Sequence, residues 1–483
     1  MDQRLRRNLD RALNPAVVAV IGDKRQSGYM WLRSMQTFSG HVYSVQVNPD
    51  EAAGIAELGV RNFASVREIP EPVDYAVCAV PRHVAPRVLV DCIASGVAGI
   101  GMFTSGFAET GEELGIRLQD EVVLLARDAG IALIGPNCMG LYNPRLGVRF
   151  SQDQPAGAGG RVALVSQSGT HALNVSLMAA ANGILLSKAV SVGNAVVLDL
   201  PDYLDYFLDD PETDVIAIYV EGPRDGRRFA EALRRAAARK PVVVWKGGLT
   251  PAGQRATMSH TASLAASPEL FRGLLRQANA ISVNSVDELL DVLQLLVRCK
   301  PGTGARLGLM AMTGGQSVVI TDAFERAGLE VPTLTDRSYT ELSEFFNIVG
   351  GSYRNPLDMG GTIRDSSENL DRLLHILDAD THVDGIVMEI SALFQARRWV
   401  REPAALDALV TQLKAHQQQS AKPFLAVLHP SFAEAEVVTA RPRVQAAGIA
   451  ALPSFDRAAL ALRRVTDRAR RAAGMLPLDS ATP

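Results

Sequence analysis

Cysteine is scarce in this chain: four in 483 residues, Cys78, Cys92, Cys138 and Cys299, with no C-x-x-C pair among them. Such spacing offers neither a disulfide framework nor a zinc site, and no metal centre is expected. Cys138, in Gly135-Pro136-Asn137-Cys138-Met139-Gly140, has no histidine beside it in sequence and reads as a small packing residue rather than a nucleophile. An excess of one charge is also lacking. The 49 Lys+Arg stand against 52 Asp+Glu, a net charge of -3, so neither nucleic acid nor an anionic membrane is expected as a main partner. Long apolar runs are missing too. The charged start Met1-Asp2-Gln3-Arg4-Leu5-Arg6-Arg7 leads into no hydrophobic stretch before the first strand pattern, which argues against a signal peptide or a membrane span and for a cytoplasmic protein.

What is present is the composition of an α/β protein, 47% hydrophobic with 40 glycines, long enough for roughly three domains. Short β-branched runs ending in Gly, Pro, Ser or Asn alternate with helical patterns, as in parallel sheets built from βαβ units. The first group is 16–22, 42–49, 74–81, 99–103 and 131–135, five strands of a nucleotide-binding-type domain over residues 1–150. A polar, glycine-rich stretch, 151–160, marks its end. The second group, 162–166, 190–194, 215–221 and 242–246, belongs to a domain over 161–299, closed by Lys300-Pro301-Gly302-Thr303-Gly304. A third, over 305–465, contains 306–313, 385–389 and 424–430, and 466–483 form a basic helix end and a mobile polar tail. The first domain lacks a G-x-G-x-x-G fingerprint, which counts against an NAD-dependent oxidoreductase.

In open α/β sheets, ligands sit beyond the carboxyl ends of the strands. Two loops there are alike. Ser166-Gln167-Ser168-Gly169-Thr170 and Thr313-Gly314-Gly315-Gln316-Ser317 each follow a strand and open a helix, and hydroxyls, glycines and free amides at a helix start form an anion site. His260, in Ser259-His260-Thr261-Ala262, is downstream of the first. A neutral imidazole is nucleophilic near pH 7 and its N-phosphoryl derivative is readily passed on. The combination suggests a histidine in a solvent-reachable loop that carries a phosphoryl group, against the plainer reading of a surface histidine at a helix start.

Taken together, Ile69-Pro70-Glu71-Pro72-Val73-Asp74, Ser105-Gly106-Phe107-Ala108-Glu109-Thr110-Gly111, the 135–140 loop, Val165-Ser166-Gln167-Ser168-Gly169, Tyr219-Val220-Glu221-Gly222, Lys246-Gly247-Gly248, Ser259-His260-Thr261 and Asn355-Pro356-Leu357-Asp358 resemble one family. It is the α subunits of nucleoside-diphosphate-forming (ADP-forming) acyl-CoA synthetases, a group similar to succinyl-CoA synthetase. The similarity runs from about residue 14 to about residue 465. The resemblance implies a Rossmann-like CoA-binding domain followed by two flavodoxin-like ligase domains. It implies an acid-thiol ligase that makes or cleaves an acyl-CoA thioester through an acyl phosphate and a phosphohistidine at His260, with Glu221 orienting the ring.

By the same resemblance, Ser166, Gln167, Ser168, Gly169, Thr170, Gly314, Gly315 and Gln316 bind phosphate. CoA is met by the first loop (Gly22, Lys24, Arg25, Ser27), by Val80 and Pro81, by Ser105, Gly106 and Phe107, and by Pro136 and Asn137. Two departures stand out: the first loop is Gly22-Asp23-Lys24-Arg25-Gln26-Ser27-Gly28-Tyr29, with an acid beside the expected phosphate, and Ala262 replaces a glycine. No segment resembles an ATP-grasp fold, so ATP/ADP and Mg2+ are expected on a separate β subunit in an α2β2-like hetero-oligomer, with a carboxylic acid as the remaining substrate. The altered loop and Ala262 motivate an alternative, a non-catalytic CoA- or acyl-CoA-binding regulatory protein of the same fold.

Overall fold

The computed structural model describes residues 1–261, 267–363 and 366–477, the side chains of 258–261 excepted. The chain packs as two compact units, Met1–Ala180 with Ile184–Asn284, and Ala181–Gly183 with the residues from Ser285 onward.

The first unit holds two sheets. One has the order β3-β2-β1-β4-β5-β6 and is parallel throughout: β1 (Val17–Ile21), β2 (His41–Val45), β3 (Arg61–Phe63), β4 (Tyr75–Cys78), β5 (Gly99–Met102) and β6 (Ala132–Ile134). The other has the order β12-β11-β10-β8-β9-β7, with β7 (Gly140–Tyr142), β8 (Val162–Ser166), β9 (Leu186–Ser191), β10 (Val215–Val220), β11 (Val242–Lys246) and β12 (Ile281–Val283). Only β7 runs antiparallel; it leaves the end of the first sheet's loop to pair with β9 at the edge of the second. The strands β1, β8 and β10 are apolar without alternation and buried along their whole length, because helices cover both faces of a parallel sheet.

The second unit is one parallel sheet, β14-β13-β15-β16-β17, made of β13 (Leu307–Ala311), β14 (Leu357–Asp358), β15 (Gly385–Glu389), β16 (Phe424–Val427) and β17 (Ala450–Leu452). The helix Val286–Arg298, capped by Ser285 accepting from the Glu288 amide, lies against the helix Phe455–Ala472 and β17. Arg457 crosses that seam to Asp291, with Nε 2.6 Å from the carboxylate. Among the described residues no helix is long and apolar enough to cross a membrane. The polar tail 478–483 lies outside the described residues.

Each sheet has one place where the chain, having laid its next strand on one side of its first, returns to the other side. These are β1/β4, β8/β10 and β13/β15. A crevice opens at such a switch point beyond the strand ends, and there the candidate residues gather: Gly22 and Val80, then Ser166–Gly169 and Glu221, then Thr313–Gln316.

Candidate functional site

Glu221 follows directly on β10 and is 7% exposed. Its main chain is clamped from the neighbouring turn. The Gln167 side-chain Oε1 accepts from the Glu221 amide at 2.5 Å and from the Gly222 amide at 3.0 Å, while its Nε2 donates to the Gly222 carbonyl at 2.8 Å. The side chain expected to face phosphate therefore braces the strand end that carries the acid. Ser166 is also turned inward: its hydroxyl donates to the Ser168 carbonyl at 2.7 Å and accepts from the Ser168 amide at 3.2 Å. The helix Gly169–Ala181 starts here, Ser168 Oγ accepting from the His171 amide at 3.3 Å. Gly169 is half-buried and Thr170 exposed. Their first-turn amides have no acceptor within the helix, as at any helix start, which leaves donors for an anion.

Above Glu221 runs the turn after β11. Lys246 Nζ donates to the Glu221 carbonyl at 2.8 Å and also to the Gly247 carbonyl. Burial lowers the Lys246 pKa, opposed by the Glu221 charge. A Cβ on Gly247 would stand 2.6 Å from the Tyr219 hydroxyl, and one on Gly248, at φ +74, would stand 2.6 Å from Thr257 Oγ1. Glycine at both places lets chain segments close on this corner.

Thr257 belongs to the helix Pro251–Thr261, so that helix is seated on the Gly248 turn, and its backbone also approaches the Ala108–Thr110 turn. His260 lies in its last turn, which corrects the expected loop: Thr250 Oγ1 accepts from the Gly253 amide at 3.1 Å as a cap, Pro251 follows, and Ala252, Gln254, Arg255 and Ala256 favour the helix in its first turns. The His260 side chain and Ala262 lie outside what the structure describes.

At β1/β4 the first loop is organised by its acid. Asp23 is 1% exposed and its carboxylate accepts from the amides of Leu32 (2.9 Å) and Lys24 (3.0 Å) and from Ser27 Oγ (3.1 Å). The expected clash of Asp23 with a phosphate gives way to an inward turn-former, held up in pKa by burial. Ser27 is spent within the turn, while Lys24 and Arg25 are exposed. Gly22, at φ +85, approaches β4 so closely that a Cβ would lie 2.5 Å from Val80 Cγ1. Val80 is half-buried and Pro81 and Ser105 exposed at the same strand ends.

The Phe107 ring is wholly buried in the first sheet's core. The Gly106 and Phe107 amides donate to Glu109 Oε1 at 2.6 and 3.1 Å. Asn194, from the loop after β9, donates to Glu109 Oε2 at 2.6 Å, and Pro136 accepts from the Asn194 amide at 2.9 Å. Asn137, at φ +57, donates to Asn194 Oδ1 at 3.4 Å. These loops form one network between the two sheets, with Glu109 in the place expected for a ligand anion. Cys138 is buried beside them, its thiol pushed up to about 12, as a packing residue would be.

In the second unit Thr313 caps the helix Gly314–Arg326, accepting from the Gln316 amide at 3.3 Å, and Gly314 and Gly315 are exposed at its start. Two acids stand close by. Asp358 Oδ2 would be 3.4 Å from a Cβ on Gly314, and the buried Glu389 accepts from the Met312 amide at 2.9 Å. Burial raises both pKa values, opposed by the hydrogen bonds each carboxylate accepts.

The sequence reading named Tyr219, Lys246 and Glu109 only as members of motifs and gave no role to them or to Thr257 and Asn194. The alternation of β10 would have pointed to Tyr219, which must share the face of Glu221 two residues on.

Buried acids beside helix starts at the carboxyl ends of parallel strands are the arrangement of an α/β protein that binds anionic ligands. Residues 16–144 match the CoA binding domain, and 159–296 match the succinyl-CoA ligase like flavodoxin domain. The alpha subunit of Pyrococcus furiosus ADP-forming acetate–CoA ligase II is 34% identical over 78% of this chain and 81% of that one. Acetate–CoA ligase (ADP-forming) I of Archaeoglobus fulgidus is 37% identical over 79% of this chain, which spans only 54% of that relative. Acetyl-coenzyme A synthetase 1 of Candidatus Korarchaeum cryptofilum, solved with phosphate and ADP, superposes with a TM-score of 0.83 at 29% identity, over 97% of this chain and 98% of that one. The chain belongs to the family of alpha subunits of ADP-forming acyl-CoA synthetases.

Proposed function

We propose that the chain makes or cleaves an acyl-CoA thioester together with an ATP-grasp partner chain, through a phosphorylated His260. In the cleaving direction phosphate displaces CoA from the thioester to give an acyl phosphate. The imidazole then attacks phosphorus, the P–O bond to the acyl group breaks, and the free acid leaves. The phosphoryl group finally passes to ADP on the partner.

The observation that carries this reading is the placement of Glu221. A buried carboxylate is fixed at the β8/β10 switch point, beside open amides at a helix start and under the turn on which the His260 helix is seated. Such an acid orients an imidazole and favours its charged or phosphorylated form. The reading puts CoA at the β1/β4 strand ends, where the main chain at Gly22, the charges of Lys24 and Arg25, and Val80, Pro81, Ser105 and Asn137 can meet it. Bound there, CoA supplies the thiol. The partner is argued from relatives called alpha subunits.

The test is mass spectrometry after incubation with magnesium, labelled ATP and an ATP-grasp partner. Phosphate on His260, absent from His260→Ala together with acyl-CoA formation, is the expected result. Turnover at the wild-type rate in His260→Ala would end the proposal, and an unlabelled wild type would favour a non-catalytic CoA-binding regulator.

A further inference from the structure

Two kinds of contact hold the acid of the β8/β10 site, and they act on different parts of it. Gln167 fixes its main chain, as described. Its side chain is met by Tyr219, whose hydroxyl donates to Glu221 Oε1 at 3.2 Å. Tyr219 is itself confined. Trp245, its register partner on β11, meets the ring edge-on with centroids 4.7 Å apart, and the His171 ring lies 4.4 Å away on the other element packed there. The bare Gly247 leaves the space that the hydroxyl occupies. A phenol buried to 7% exposure with its only polar atom on a carboxylate has little to gain from another rotamer, since leaving would strand the hydroxyl in apolar surroundings.

We propose that Tyr219 is a positioning residue for phosphoryl transfer: by donating to Glu221 it keeps the carboxylate in the orientation in which it steers the His260 imidazole. The inference rests on the phosphohistidine reading above. It assigns to the tyrosine of Tyr219-Val220-Glu221 a role in rate rather than in folding, and it makes Gly247 a second requirement of the same contact.

The experiment uses the chain with its ATP-grasp partner, magnesium and 32P-labelled ATP as phosphoryl donor, and rapid-quench measurement of label on His260. Losing a hydrogen bond to a charged group predicts labelling slowed roughly tenfold or more in Tyr219→Phe, with CoA affinity and melting temperature close to wild type. Gly247→Ala, which crowds the hydroxyl, should reproduce the slowing. If the tyrosine acts through the acid, adding Tyr219→Phe to Glu221→Gln should slow labelling by less than about twofold further. Wild-type labelling rates in Tyr219→Phe, or losses that multiply in full in the double variant, overturn the inference while leaving phosphohistidine intact. A wild type that takes no label at His260 overturns both.

Discussion

At the scale of single residues, the candidate site is governed by where amide and carboxylate groups turn, and that is the level at which sequence says least. His260 and Glu221 stand out as candidates in the sequence because imidazole and carboxylate chemistry is specific to their residue types. The motif Ser166-Gln167-Ser168-Gly169 signals a helix start with donors, yet it cannot say that the Gln167 amide swings to Glu221 and Gly222 instead of to an anion. Asp23 is the same case. Beside an expected phosphate it looks repulsive; in place it collects three donors of its own loop. For Glu221 the geometry makes a quantitative prediction. Glu221→Gln keeps the shape and one acceptor but removes the charge, so phosphorylation of His260 should slow by roughly 10²–10⁴-fold, the scale for a positioned acid-base partner. Rapid-quench labelling checks it, and a change below about threefold would place the carboxylate outside the reacting set.

At the scale of elements, the central strands β1, β4, β8, β10, β13, β15 and β16 are readable as apolar runs, whereas β3, β12, β14 and β17 are not. The latter are two or three residues long at sheet edges, too short for periodicity and stabilised by a neighbour's ladder rather than by their own composition. The helix holding His260 shows the opposite failure. Its cap and its proline are present in the sequence, but the His-Thr motif draws attention to chemistry and away from local structure. The β1 loop offers the element's own test. Gly22→Ala forces an L-residue to φ +85 and sets a methyl 2.5 Å from Val80 Cγ1. Left-handed backbone alone costs about 1–2 kcal/mol, so β1 and β4 should part at their carboxyl ends. CoA binding measured by calorimetry should weaken about five- to thirtyfold, the equivalent of that cost, and unchanged affinity would move CoA away from these strand ends.

At the scale of the whole molecule, packing divides the chain after Asn284. The helix Val286–Arg298 buries Leu289, Leu290, Val292, Leu293 and Leu295 to 2% exposure or less, against the helix Phe455–Ala472 and β17. A fragment of residues 1–284 should therefore run as a monodisperse species in size-exclusion chromatography. One extended to 299 should aggregate, because that apolar stripe has lost its cover. Equal behaviour of the two fragments would show that the helix is covered by the first unit instead.

The strand order β12-β11-β10-β8-β9 of the second sheet is repeated in the third as β17-β16-β15-β13-β14, so each strand end of one has a counterpart in the other. The two sheets differ at matching strand ends. Glu221 is addressed by the hydroxyl two residues before it, whereas Val387 occupies that place before Glu389, whose carboxylate is met by the Met312 amide. The third sheet therefore has a buried acid at the matching strand end, but that acid is held by a main-chain amide and has no hydroxyl two residues before it.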